Sequence, residues 1–127
     1  MRLVLDSGGV SWLAGRSPRT AALIAELRVA GLWPALVPAP VLVECLTGHP
    51  GRDAQANRFL KSCEVVTELS QALARRCARL RFEARRGSAV DAIAVGLAEP
   101  AGVVVTSDPA DIEALADVAT GVTVRPV

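Results

Sequence analysis

The segment Arg2-Leu-Val-Leu-Asp6-Ser7 is a short apolar run that ends in a carboxylate. Such a run is typical of a buried strand, and Ser7 or Asp6 can cap the helix that residues 9–13 favour. In an open parallel sheet, ligands bind beyond the carboxyl ends of the strands. The sequence therefore predicts that Asp6 lies where a ligand would bind, although a role as a helix cap alone stays open.

The rest of the chain alternates apolar runs with segments of helical spacing. Further strands are predicted at 32–37, 63–66, 103–106 and 118–124, and helices at 19–30, 41–46, 53–61, 71–86, 89–98 and 110–116. Ser17, Ser70 (or Thr67) and Ser88 are the predicted caps of three helices. Strands separated by helices imply a mainly parallel sheet covered on both faces. We therefore expect one α/β domain over residues 1–127, with a five-stranded sheet flanked by helices.

The composition is that of an ordinary globular protein, with 51% hydrophobic residues and a formal net charge of +1. Cys45, Cys63 and Cys77 are far apart and lack CxxC spacing, which favours reduced thiols over a zinc site or a disulfide. The N-terminus lacks the pattern of a signal peptide, and no apolar run is long enough to cross a bilayer. These features predict a soluble, cytoplasmic protein.

Four carboxylates recur at strand ends or in the first turns of predicted helices. They are Asp6, Glu44, Asp91 and Asp108. Glu44 could instead pair with an arginine, Asp91 could interact with the helix dipole, and Asp108 could cap the last helix. Right-handed crossovers bring the carboxyl ends of parallel strands to one edge of a sheet. The coincidence of four acids, three of them in apolar surroundings, therefore favours a common site.

A cluster of carboxylates must hold protons or recruit cations, because each close pair repels by roughly 1–4 kcal/mol. Oxygen ligands without a histidine or cysteine partner suit Mg²⁺ or Mn²⁺. The single histidine, His49, lies in a Pro/Gly segment and is expected to be solvated rather than catalytic. An ion held by such acids accepts phosphate oxygens, which makes a phosphodiester a natural substrate.

Arginines are concentrated in the segment 75–86, shortly before Asp91. Clustered arginine fits contacts with phosphates, so this segment is a candidate RNA-binding face. The candidate residues are Arg75, Arg79, Arg85 and Arg86. Phe82 interrupts the line that these arginines form at helical spacing. A second interpretation stays open, in which the segment is a solvated helix face with Glu83 as the partner of its arginines. Because only 3% of the residues are aromatic, base stacking is expected to contribute little.

These motifs resemble those of the PIN-domain family. The resemblance rests on the segments Leu-Val-Leu-Asp6-Ser7, Val41-Leu-Val-Glu44, Ala89-Val-Asp91-Ala-Ile-Ala-Val and Val-Val-Thr106-Ser-Asp108-Pro-Ala-Asp111. It spans essentially the whole chain, whose size is similar to that of the VapC toxins of bacterial type II toxin–antitoxin pairs. It implies a PIN-like three-layer fold and the activity of a Mg²⁺- or Mn²⁺-dependent endoribonuclease.

The resemblance also implies roles for single residues. Asp6 and Asp91 would be the main metal ligands, and Asp108 and Glu44 would complete the acidic site directly or through water. The implied auxiliary residues are Ser7, Thr106 and Asp111. Family members are usually homodimers and are silenced by a cognate VapB-type antitoxin whose tail enters the acidic groove.

Two positions depart from the family pattern, and neither removes an acid. Gly8 stands where a hydroxyl residue is common, and Ile112 replaces a frequent Phe. Two alternative functions stay open. One is a catalytically silent PIN-fold module that binds RNA or a protein partner. The other, a phosphoacceptor receiver domain, is disfavoured because the first strand carries a single acid and Lys61 lies in the wrong region.

Overall fold

In a computed structural model, which describes residues 1–127, one sheet of five strands runs through the centre of the molecule. The strands are β1 (Arg2–Leu5), β2 (Leu36–Pro38), β3 (Glu64–Val66), β4 (Gly102–Thr106) and β5 (Val122–Pro126). All neighbouring strands are parallel, in the order β3-β2-β1-β4-β5. The predicted α/β class is confirmed, and the sheet is parallel throughout.

Seven helices connect the strands in the predicted order. They are α1 (Ser7–Leu13), α2 (Pro18–Val29), α3 (Ala39–Cys45), α4 (Pro50–Leu60), α5 (Gln71–Ala84), α6 (Ala89–Ala98) and α7 (Pro109–Val118). The hydroxyls of Ser17, Ser70 and Ser88 each accept a hydrogen bond from the backbone N–H three residues on. Such a cap stabilises a helix by about 1 kcal/mol, and all three were predicted. None of the helices combines the length and the apolar composition needed to span a membrane.

Each face of the sheet is covered by its own apolar core. Alternate residues of a strand point to opposite faces, so Val4 packs with α5, α6 and α7, whereas Leu3 and Leu5 pack with α1 and α2. Leu80 and Leu23 are representative buried contacts from the two helical layers. The result is the predicted arrangement of three layers, with the sheet in the middle.

Several element boundaries differ from the prediction for local reasons. Residues 49–51, predicted as a loop, belong to the start of α4: His49 is exposed and its Nδ1 accepts a 3.2 Å hydrogen bond from the N–H of Arg52. Helix α5 ends at Ala84 rather than at 86, because Arg85 has a left-handed φ of 58°. The last strand was predicted at 118–124, but Val118 belongs to α7 and β5 follows Gly121, whose φ is 64°.

The winding of the chain changes side next to β1. After β1 the chain proceeds to β2 and β3 on one side, and it then returns to place β4 on the other side of β1. In open α/β sheets, ligands bind at the carboxyl ends of the strands at such a switch point. Asp6 directly follows β1, and Asp108 follows β4 after Ser107. Two of the predicted acids therefore border the switch point.

Candidate active site at the carboxyl edge of the sheet

Asp6 is a buried acid at the end of the central strand. Its residue is 5% exposed, and its Oδ1 accepts a 2.7 Å hydrogen bond from the N–H of Gly9, so it caps α1. Burial raises the pKa of the Asp6 carboxyl, hydrogen bonds from Thr106 and Gly9 oppose the rise, and the charges of Asp91 and Asp108 add to it. The capping role is real, but it does not account for a buried acid beside two further acids.

Thr106 joins Asp6 to the loop that carries Asp108. Leu5 lies opposite Val105 in the parallel pair of β1 and β4. Asp6 and Thr106 therefore occupy the next position on neighbouring strands, which run about 4.8 Å apart. The fully buried Thr106 accepts a 3.0 Å hydrogen bond from the N–H of Asp108 at its Oγ1, and its hydroxyl lowers the pKa of Asp6. The predicted auxiliary threonine thus connects two of the acids.

Asp108 presents its carboxylate at the surface. It is exposed and precedes Pro109, the first residue of α7, but its side chain makes no capping hydrogen bond. The alternative role as a side-chain cap of the last helix is therefore wrong. Its backbone N–H instead donates to Oγ1 of Thr106, and its carboxylate is close enough to Asp6 for its charge to raise the pKa of Asp6.

Asp91 caps its own helix and is also close enough to Asp6 for its charge to act on that carboxyl. Its Oδ2 accepts a 3.0 Å hydrogen bond from the N–H of Ser88, and its own N–H donates to the Ser88 hydroxyl, which completes a capping box. This box occupies one carboxylate oxygen and leaves Oδ1 for another partner. The charge of Asp91 raises the pKa of Asp6. The structural role and the role in an acidic cluster therefore coexist.

Glu44 is the predicted acid that the structure places least close to the others. It is exposed in the last turn of α3, forms none of the salt bridges, and is not among the charges that act on Asp6. Its apolar neighbour Val43 is itself 83% exposed. The expectation of a buried setting was wrong, because the last turn of α3 faces solvent. The alternative of an arginine partner is also wrong.

The chemistry of the donors suits a hydrated Mg²⁺ or Mn²⁺ ion. As the side chains stand, no three acidic, histidine or cysteine groups converge as a metal-binding group. Mg²⁺ is commonly held by only one or two carboxylates and keeps several waters. Asp6 with either Asp91 or Asp108 fits that requirement with oxygen ligands alone, and a cation would relieve the repulsion that these acids exert on Asp6.

The two other predicted auxiliary residues, Asp111 and Ser7, are not among the groups that act on the Asp6 carboxyl. Asp111, in the first turn of α7, accepts a 2.7 Å hydrogen bond at Oδ1 from Nε of Arg86. Because both side chains are partly exposed, this ion pair contributes at most about 1 kcal/mol. It nevertheless fixes one predicted RNA-binding arginine beside the acids. Ser7 is half-buried in the first turn of α1.

The glycines after Asp6 allow α1 to approach β4 closely. A Cβ atom at Gly8 would collide with Oγ of Ser107, and one at Gly9 would collide with the carbonyl oxygen of Val105. Ser107 therefore brings a hydroxyl to the place where the resemblance implies one at residue 8. The sequence analysis did not single out Ser107. The adjacent glycines after a strand were the available signal, because they indicate a close backbone approach.

A second buried acid, Asp53, was also not singled out, and it has a structural role. Its carboxylate accepts hydrogen bonds from the N–H and hydroxyl of Thr47 and from the N–H of Gly48, at 2.8–3.1 Å. These bonds lower the pKa of Asp53, beginning with that from the backbone of Thr47. Asp53 fixes the turn between α3 and α4, and nothing about it calls for a cation.

The arginine-rich helix α5 presents most of its cations to solvent. Arg75, Arg79 and Arg85 are exposed and form no salt bridge, so Glu83 does not neutralise them. Arg76 differs, because it holds Glu99 at 2.8 Å. The exposed cations are available for an anionic partner.

Comparison with protein-family models and with curated proteins gave no match to this sequence. The resemblance to PIN domains therefore rests on the four motifs, together with the parallel five-stranded sheet and its helical layers.

Proposed function

We propose that this protein is a Mg²⁺- or Mn²⁺-dependent endoribonuclease that acts at the acidic site beside Asp6. The observation that carries the proposal is the buried Asp6 carboxyl, whose pKa is raised by burial and further by the charges of Asp91 and Asp108. A buried acid with acidic neighbours has a reason to recruit a cation. Its place at the switch point of the sheet supports a binding role, because ligands bind there in α/β folds.

Each residue has a distinct task in this proposal. The N–H of Gly9 donates to Oδ1 of Asp6 and orients the carboxylate, which would bind the ion. Thr106 orients Asp6 and fixes the loop of Asp108, whose exposed carboxylate can orient a water and accept its proton. When bound, the divalent ion would lower the pKa of a water and stabilise negative charge on the phosphate. Exposed arginines of α5 would hold the flanking phosphates.

The biological setting that follows from the resemblance is also a proposal. In it, the protein is the toxic component of a type II toxin–antitoxin pair, works as a homodimer, and is silenced by a VapB-type antitoxin. Glu44, on the helix that follows β2, is the candidate for a fourth acid that acts through water. It is the least supported member of the site because of its exposure.

The test is cleavage of a single-stranded RNA with Mn²⁺ by the wild type and by Asp6→Ala, Asp91→Ala and Asp108→Ala. Asp117→Ala is the matched control, since Asp117 is exposed and forms no salt bridge. We expect each site variant to lose more than about 100-fold in rate, as when a charge-stabilising group is removed, and the control to keep its rate. Thermal melts should show that all variants fold. Full cleavage by Asp6→Ala or Asp91→Ala would refute the assignment.

The second candidate function is a catalytically silent module that binds RNA or a protein. The exposure of Glu44 favours it, because the fourth acid then stands apart from the other three. Titration with Mn²⁺ separates the two functions. Binding to the folded state alone stabilises it by about 2.7 kcal/mol when the ion is at 100 times its Kd. A melting temperature that does not change with Mn²⁺ would favour the silent module.

A further inference from the structure

The outward face of α5 carries an aromatic side chain among its arginines. Phe82 is 80% exposed, whereas Leu80 on the opposite side of the helix is 0% exposed and belongs to the core. Residues three or four apart are neighbours on a helix surface. Arg79 therefore lies beside Phe82 on this face, and Arg75 continues the line one turn further. We refer to Arg75, Arg79 and Phe82 as the α5 stripe.

The stripe is cationic and only lightly neutralised. Arg75 and Arg79 form no salt bridge. Glu83 lies one turn after Arg79 on the helix but forms no salt bridge with it. An exposed aromatic ring beside unpaired guanidinium groups suits a polymer that offers flat apolar surfaces and phosphates together.

The stripe leads to the acidic site. Arg76 contacts Glu99 just beyond the end of α6, whereas Nε of Arg81 donates to the carbonyl of Gly87 just before α6 begins. Helices α5 and α6 are therefore antiparallel, and the end of α5 that bears Phe82 lies by Asp91. Arg86, just beyond this end of α5, donates to Asp111 in the first turn of α7.

We propose that single-stranded RNA lies along the α5 stripe, with one unpaired base stacked on Phe82 and its phosphates contacted by Arg79 and Arg75. Stacking on a side chain requires a base that is not already paired and stacked in a duplex. The inference deepens the proposed nuclease function, on which it rests for the identity of the polymer as RNA. The low aromatic content predicts that base stacking contributes little overall. The exposure of Phe82 identifies one residue that could provide such stacking.

A second copy of the chain is a poorer occupant of this face. In a two-fold symmetric contact the same patch meets itself, so the arginines of two stripes would face each other. Protein interfaces are also depleted of charge at their centre, whereas Phe82 lies beside Arg79 and Arg75. A polyanion meets neither difficulty, because its negative charges attract the arginines.

The experiment measures equilibrium binding in EDTA, so that no cleavage is needed. A labelled oligouridylate is compared with an oligomer of the same length whose central positions are abasic. Phe82→Ala should weaken binding of the complete oligomer by roughly 5- to 100-fold, as expected for one lost stacking contact, and leave the abasic oligomer unaffected. Phe82→Trp should retain affinity. Arg79→Ala should weaken both oligomers and lower the slope of log K against log salt by about 1.

Val29→Ala is the matched control, because Val29 is 90% exposed on α2, in the other helical layer. It should change neither affinity. If Phe82→Ala behaves like this control, the proposal is overturned. It is also overturned if Phe82→Ala dissociates a homodimer in sedimentation while the affinity for RNA is unchanged, since Phe82 would then serve a protein contact. A wild type that binds but does not cleave would count against the nuclease function and not against the stripe.

Discussion

Asp6 and Asp53 are equally hidden from solvent, each 5% exposed, yet their surroundings act on them in opposite directions. Asp53 accepts bonds from Thr47 and Gly48, which lower its pKa. For Asp6, burial and acidic neighbours outweigh bonds from Thr106 and Gly9, and its pKa is raised. The protein's own groups stabilise the charged form of Asp53, whereas the surroundings of Asp6 disfavour its charged form, which a bound cation would stabilise.

The largest effect that we expect from this difference between Asp6 and Asp53 is on the rate of RNA cleavage. Asp6→Asn should lower the rate of RNA cleavage by more than about 100-fold, because the neutral amide cannot hold the ion that the charged carboxylate holds. Asp53→Asn should leave the rate per folded molecule within about twofold, since Asp53 is not among the charges that act on Asp6. Initial rates, corrected for the folded fraction by circular dichroism, measure both. Equal losses in the two variants would remove the distinction.

Stability should show the reverse pattern. Asp53→Ala leaves the N–H groups of Thr47 and Gly48 without their acceptor, and we expect the melting temperature to fall by roughly 5–10 °C. Asp6→Asn keeps an oxygen for the N–H of Gly9 and removes a charge that is costly to bury, so its melting temperature in EDTA should not fall. Thermal melts of the two variants and the wild type, at one pH and without metal, test the contrast.

The third expectation concerns the response to metal. Mn²⁺ should raise the melting temperature of the wild type and of Asp53→Asn by similar amounts, because both keep the acidic cluster. Asp6→Asn should show no shift at the same concentrations. A shift that survives in Asp6→Asn but disappears in Asp53→Asn would place the ion at the wrong acid.

The smallest expected effect is on stability at acidic pH. A carboxyl whose pKa is lowered by folding contributes stability that is present above its unfolded pKa and is lost as the pH falls through the folded value. For Asp53 the unfolded value is near 3.8, so its contribution should disappear below that pH. Denaturant midpoints measured from pH 6 downward should show a shallower acid loss in Asp53→Asn than in the wild type. Identical pH profiles would mean that the bonds to Thr47 and Gly48 contribute little.

The fold could be predicted from the sequence because its signals are local. Ser17, Ser70 and Ser88 mark helix starts through bonds to their own next turns, and apolar runs mark strands. The end of α5 was misplaced, because the left-handed turn at Arg85 lies two residues before the glycine that indicates it.

The site was predictable in part. Asp6 and Asp108 follow strands, so the topology alone brings them to one edge. The exposure of Glu44 and the burial of Asp53 depend on which side of a helix meets the rest of the protein, and flanking residues such as Val43 do not report it. Ser107 was missed because it approaches Gly8, which is distant in the sequence. Gly8 has no side chain that could have indicated the contact.

The pairing of β1 with β4 also affects when the protein becomes competent during its synthesis. Leu5 and Val105 lie side by side in the sheet although they are a hundred positions apart in the chain. Asp6 therefore leaves the ribosome long before Thr106 and Asp108 exist. A nascent chain that ends before β4 lacks Thr106 and Asp108, so the proposed nuclease activity would require that most of the polypeptide has been synthesised.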